Sequence, residues 1–204
     1  MNRWARVLVL SFVGASLQAG PPFASEARAS ELEGMTTEAF IQSGGVYVEF
    51  DERERPRTLR ATCLVWASPE KVWSVVTDYG HWSDFIPGFT LSRVLRTSTT
   101  ETVVEQVTTV KVVVLKITSH TKMRMKETRP SRVEFEQVEG DFKLCDGRWR
   151  IAPTDDPDVA RLTYEMRAIT HSIIPTPDFL VRPILRRELE SRLQGIRTRA
   201  EQLP

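Results

Sequence analysis

The stretch that most restricts the fold is KVVVLKITSHTKMRMKE, residues 111–127. Val113, Leu115, Ile117, Ser119, Thr121, Met123 and Met125 share one parity. Lys116, Thr118, His120, Lys122, Arg124 and Lys126 share the other. Successive side chains of a strand point to opposite faces, so strict alternation over this length demands a long extended strand. A helix would scatter the cations around its whole circumference. One apolar and one charged face place that strand in an antiparallel sheet covered on one side only. His120 falls among the cations and is expected in water.

Neighbouring segments repeat the pattern. In GGVYVEFDERERPRTLRATCLVWA, Val46, Val48 and Phe50 form one face, and after a charged turn Leu59, Ala61, Cys63 and Val65 form another. From Phe89 to about His171 the chain reads almost entirely as strand, through SRVEFEQV, FKLCDGRWRIAP and ARLTYEMRAITH. Arg129-Pro130, Glu139-Gly140 and the stretch 154–158 supply turns.

Two helices interrupt this order. Ser68 is an N-cap, Pro69 suits the first helical position, and Glu70 complements the helix dipole. Val72, Val75, Val76 and Tyr79 give an apolar face, and Gly80 is the expected left-handed end. At the far end Thr176 and Pro177 open a second helix. Val181, Leu185, Leu189, Leu193, Ile196 and Ala200 recur along it at steps of three or four. About 25 residues span roughly 37 Å, enough to cross a sheet. Pro183 is expected to kink its first turns. A curved antiparallel sheet with the long helix across it buries every apolar face at once, which is an α+β arrangement.

The first residues are set apart from that domain. A basic start, the uncharged run Val7 to Leu17 and Ala27-Arg28-Ala29 have the layout of a cleaved secretory signal. The run is short for a membrane span, which needs about 20 residues. An exported chain, periplasmic or secreted, starting near Ser30 is the expectation, with no lipoprotein anchor because no cysteine lies near the cleavage region. The expected organisation is 1–29 signal peptide, 30–44 N-terminal extension and 45–204 a single domain. The removed segment carries Arg3, Arg6 and Arg28 against Glu26, leaving the remainder formally −1. Such balance gives no basis for nucleic-acid binding. Cys63 and Cys145 are expected as unpaired thiols in small-residue roles.

No catalytic motif emerges. His81, His120 and His171 are not grouped at metal-ligand spacing, and there is no nucleophile elbow, phosphate loop or Cys-His pattern. Neither metal nor cofactor is expected. Asp78 is read as a structural hydrogen-bonding group near the helix end. Gln106, Gln137, Ser119 and Thr121 fall on inward faces, where they either pair with neighbours or meet a ligand's polar end.

Ser68-Pro69, Val72-Trp73, Asp78-Tyr79 and Phe85-Ile86-Pro87-Gly88, followed by VEGDFKLCDGRWRI and ARLTYEM, resemble the START-like superfamily. This SRPBCC, or polyketide cyclase/dehydrase, group has the helix-grip fold. The local match is closer to the branch containing the coenzyme Q-binding proteins. The resemblance covers most of residues 45–200. It implies a deep apolar cavity between sheet and C-terminal helix. The expected lining is Val113, Leu115, Ile117, Met123 and Met125 from the long strand, Leu162, Tyr164 and Met166 from the last strand, and Leu185 and Leu189 from the helix. Trp82, Phe85 and Ile86 are expected at the mouth, touching a greasy ligand or the membrane it comes from; the alternative is that they are core. The function implied is binding or carrying a hydrophobic lipid-, quinone- or isoprenoid-like molecule. The alternative is a polyketide cyclase or dehydratase acting in the same cavity.

Overall fold

The structure, a computed structural model, describes residues 36–51, 58–112, 115–170 and 178–204. Its elements run α1 (Thr37–Gln42), β1 (Tyr47–Asp51), β2 (Thr58–Val65), α2 (Pro69–Val76), α3 (Trp82–Phe85), β3 (Phe89–Thr97) and β4 (Thr102–Val112). Then come β5 (Leu115–Thr128), β6 (Arg132–Gly140), β7 (Phe142–Pro153), β8 (Ala160–Thr170) and α4 (Asp178–Glu201). The alternating stretch that opened the sequence reading is β5, paired with β4 and β6.

The strands form one antiparallel sheet in the order β1-β2-β8-β7-β6-β5-β4-β3. The first hairpin therefore pairs with the last strand, and β3 lies at the opposite edge. The chain between β2 and β3 must pass from one side of the sheet to the other. It does so through α2 and α3, which pack against α4. Alternation sorts the side chains: Leu59, Ala61, Cys63, Met123, Met125, Phe135, Leu162 and Tyr164 join the main apolar cluster. From α4, Leu189, Leu193, Ile196 and Ala200 enter the same cluster. Burying each of the larger ones contributes about 1.5–3 kcal/mol before the entropy of ordering is charged against it.

Ser68 caps α2 as expected, its hydroxyl accepting from the Lys71 amide at 3.4 Å. The expected end at Gly80 is corrected. The helix stops at Val76, with the Thr77 hydroxyl donating to the Trp73 carbonyl at 2.9 Å. Gly80 instead sits in a single 3₁₀ turn, Tyr79–His81, which leads straight into α3. The segment after α2 is thus helical and packed. Gly195 is what lets α4 lie on it: a Cβ there would stand 2.4 Å from the Phe85 carbonyl oxygen. Thr176 and Pro177, the expected start of the last helix, lie outside the described residues.

Part of the expected N-terminal extension lies within the described residues. Thr36 caps α1, accepting from the Ala39 amide at 3.2 Å. Ile41 is buried there, and Glu38 pairs with Arg161 of β8. Cys63 and Cys145 are both free thiols. Among the described residues no helix is long and apolar enough to cross a membrane.

Candidate functional site

Between the inner sheet face and α4 lies a cavity of about 80 Å³. The sheet supplies most of its wall: Phe89 from β3, Gln106 and Thr108 from β4, and Thr121, Met123 and Met125 from β5. Phe135 comes from β6, Phe142, Cys145 and Trp149 from β7, and Tyr164 and Met166 from β8. Trp82 closes it from α3 and Arg192 from α4.

Aromatic contacts hold the wall in place. The Trp82 ring meets Tyr79, Phe89 and Trp149 edge-on, at centroid distances of 5.4, 5.6 and 6.1 Å. Trp149 lies 4.3 Å from Tyr164, which stacks on Phe135 at 5.6 Å. Such pairs add about 0.5–1.5 kcal/mol each beyond their burial. Gly147 makes the last of these stacks possible. A Cβ on it would sit 2.1 Å from the Glu165 carbonyl oxygen and 2.5 Å from the Phe135 ring.

The polar lining combines the donors Arg192 and Trp82 with groups that both donate and accept, Gln106, Thr108, Thr121 and Tyr164, and it holds no carboxylate among the described residues. Arg192 Nη1 donates to the Tyr164 hydroxyl at 2.7 Å, and the hydroxyl in turn donates to Met166 Sδ at 3.5 Å. The Arg192 guanidinium also stands over the rings of Phe89 and Tyr164, at 5.0 and 5.2 Å. It makes no ion pair among the described residues. Trp82 and Gln106 are 3% and 6% exposed, and Trp82 Nε1 and Gln106 Nε2 have no hydrogen-bond partner among the described residues. A buried donor left so costs about 1–3 kcal/mol. Burial pushes the Tyr164 phenol up, and Arg192 offsets part of that. Burial likewise pushes the Cys145 thiol up to about 11, against the pull of Arg192. Both stay protonated at neutral pH.

The expected lining residues divide. Trp82, Met123, Met125, Tyr164 and Met166 border the cavity. Leu162 and Leu189 do not; they are packed into the core, with Leu185 half-buried against it. Ile117 keeps the inward parity but lies towards the β4–β5 end of its long strand and is 52% exposed. Val113 and the side chain of Leu115 lie outside the described residues.

The three residues expected at the mouth or in the core are placed differently. Trp82 and Ile86, four residues apart on one helical turn, both face inward, and Ile86 is 1% exposed. Neither is available to a bilayer in this arrangement. Phe85 is half-buried beside a separate hollow with Asp78, His81 and Arg199. Pro87 and Gly88 border another hollow, of about 480 Å³, shared with Thr109, Lys111 and the α4 residues Pro183, Ile184, Arg187, Glu188 and Ser191. Asp78 does serve structurally, its Oδ1 lying 2.6 Å from His81 Nδ1.

Arg192 was not among the expected lining residues. Its signal was present: it stands three residues after Leu189 and four before Ile196, a cation within the apolar stripe. Among the described residues no group of His, Cys, Asp and Glu side chains is arranged to hold a metal ion.

The family described as polyketide cyclase / dehydrase and lipid transport matches residues 65–197, well over half of the chain. The chain belongs to this family. Solved structures of the polyketide cyclase and lipid transport type share its fold. The STAR-related lipid transfer protein from Xanthomonas axonopodis is 19% identical, with a TM-score of 0.60 over 77% of this chain and 93% of that one. The Zhui aromatase/cyclase from Streptomyces sp. R1128 is 20% identical, with a TM-score of 0.61 over 72% and 94%. Human StAR-related lipid transfer protein 5 is 12% identical, with a TM-score of 0.58 over 88% and 94%. No curated protein matches the chain by sequence. Within the family's START-like, helix-grip architecture, the cavity described above lies between sheet and C-terminal helix.

Proposed function

We propose that this protein is an exported binder or carrier of a hydrophobic lipid-, quinone- or isoprenoid-like molecule, held between the sheet and α4. The observation that carries the reading is the cavity walled by aromatic and methionine side chains, with donors that have no partner among the described residues. Pockets that hold drug-sized ligands enclose about 300–1,000 Å³, so the 80 Å³ cavity takes one end of such a molecule. The remainder extends toward the hollow beside Pro87, Gly88 and the first turns of α4. Met123, Met125 and Met166 suit a wall that adapts to flexible chains. Export is supported by the apolar run Val7 to Leu17 followed by Ala27-Arg28-Ala29. An apolar cargo crossing an aqueous compartment needs a dry enclosure.

Cyclisation in the same cavity is the alternative that the family's description keeps open. It needs a group to move protons. The described lining has no carboxylate and no imidazole, and its Tyr164 and Cys145 hold their protons more tightly than usual. That favours binding over catalysis.

The test is extraction of the protein purified from its own host, followed by mass spectrometry of the organic phase. A stoichiometric hydrophobic compound is expected. Folded protein that carries none, and takes up none from a lipid extract, would overturn the reading.

A further inference from the structure

The cavity wall has an imbalance that its apolar character does not explain. Its one formal charge is the Arg192 guanidinium, placed among the rings of Phe89 and Tyr164. Arg192 gives one hydrogen bond, to Tyr164, and its remaining N–H groups have no partner among the described residues. Glu188, one turn away, makes no ion pair with it; its carboxylate reaches toward Gly88 instead. Two further donors, Trp82 Nε1 and Gln106 Nε2, are more than nine-tenths buried and unpartnered. The Tyr164 hydroxyl, the natural acceptor of the site, is occupied on both sides by Arg192 and Met166.

Three kinds of donor from three different elements therefore line one small space, with no carboxylate in its described lining. A neutral apolar ligand would leave all of them unanswered. An alcohol would accept from one of them but leave the guanidinium charge unanswered. An acceptor-only group with a negative charge satisfies the geometry and the charge together, and a planar carboxylate suits a guanidinium with free N–H groups. We propose that the ligand of this cavity is a hydrophobic acid, its carboxylate held by Arg192, Trp82 and Gln106. Its chain leaves toward the hollow bordered by Pro87, Gly88 and α4. This rests on the proposed hydrophobic-ligand function and narrows it to one ligand class.

The experiment compares palmitate, methyl palmitate and hexadecanol as ligands of the full-length protein, by direct binding at neutral pH. The three share a chain and differ only at the head. Palmitate is expected to bind at least about ten-fold more tightly than either neutral probe, the margin of one charged hydrogen-bonded contact. Arg192→Gln should abolish that preference, so that the acid binds no more tightly than the neutral probes; a preference that survives the substitution would overturn the assignment to Arg192. Equal binding of all three would overturn the acid assignment and leave the hydrophobic-ligand reading standing, with water answering the donors. Tighter binding of the ester or alcohol would overturn it in the same way. Binding of none would overturn both. The comparison among probes uses the unaltered protein, so it does not depend on any variant folding.

Discussion

The two faces of the sheet handle charge in opposite ways. On the outer face, Lys126, Glu134, Arg148, Glu165, Arg60 and Glu49 stand directly opposite one another across six strands, alternating in sign. Glu165 accepts from Arg60 at 2.8 Å and from Arg148, and Arg60 also reaches Glu49. A second row, Arg124, Glu136, Asp146 and Arg167, has Arg124 bonded to Glu136 at 2.8 Å and Arg167 to Asp146 at 2.7 Å. In the described lining of the cavity on the inner side, the one charge is Arg192 of α4, which makes no ion pair among the described residues. Charges paired across strands fix register and give a few tenths to about 1 kcal/mol each. Buried donors left without a partner stabilise nothing, and they are intelligible as a site waiting for a ligand.

The sharpest break in this contrast is Gly147, where both faces meet. Its neighbours on β7 belong to the outer rows, while the Phe135 ring crosses it on the inside. Gly147→Val drives a branched side chain into the Glu165 carbonyl and the Phe135 ring. It should cost about 4 kcal/mol or more, read by urea denaturation.

Glu165→Gln tests the outer face alone. It removes the central anion of the ladder and should cost about 1–2 kcal/mol, between the worth of an exposed pair and that of a charged hydrogen bond. The effect depends on pH. Burial pushes the Glu165 carboxyl up, but the hydrogen bonds and charges of Arg60 and Arg148 outweigh it and hold it below its usual value of 4.5. A carboxyl depressed in the folded state stabilises above its unfolded pKa, and that gain is lost as pH falls through the folded value. The gap between wild type and Glu165→Gln should therefore be constant near neutrality and shrink once the pH drops below about 4.5. A gap that persists unchanged in acid would detach the ladder from the ionisation of Glu165.

The smallest stability effect belongs to the inner face. Arg192→Gln loses one hydrogen bond and two cation–ring contacts, but it also removes an unpaired, half-buried charge. Unfolding free energy should stay within about 1 kcal/mol of wild type. A loss as large as that of a packed core residue would make Arg192 a structural group.

What was legible in the sequence followed from periodicity. Strict alternation in β5 fixed the strand and both faces, since a strand's period of two leaves no other solution. The cap at Ser68 and the stripe from Leu185 to Ala200 placed the helices. Gly80 misled because glycine ends helices only where the chain needs a left-handed residue, and here Thr77 ends the helix by its side chain. The cavity was harder to read. Periodicity separates inside from outside but not packed from open, so Leu162 and Leu189 were indistinguishable from Met123 and Tyr164. Arg192 escaped notice because a long cationic side chain beside an apolar stripe ordinarily reaches outward to water. Its inward course depends on Tyr164 and Phe89, which lie far away in the chain.

A ligand's acceptor that enters this cavity should meet Trp82 Nε1, which has no partner among the described residues. The indole N–H resonance of Trp82, assigned by its absence in Trp82→Phe among the signals of the five tryptophans, reports on that event alone. Titrating isotope-labelled protein with palmitate should move this resonance strongly downfield, as an unpartnered donor gains a charged acceptor. The Trp66 signal, from a half-exposed ring outside the cavity, should stay in place. Saturation with palmitate that leaves the Trp82 resonance where it was would contradict the account.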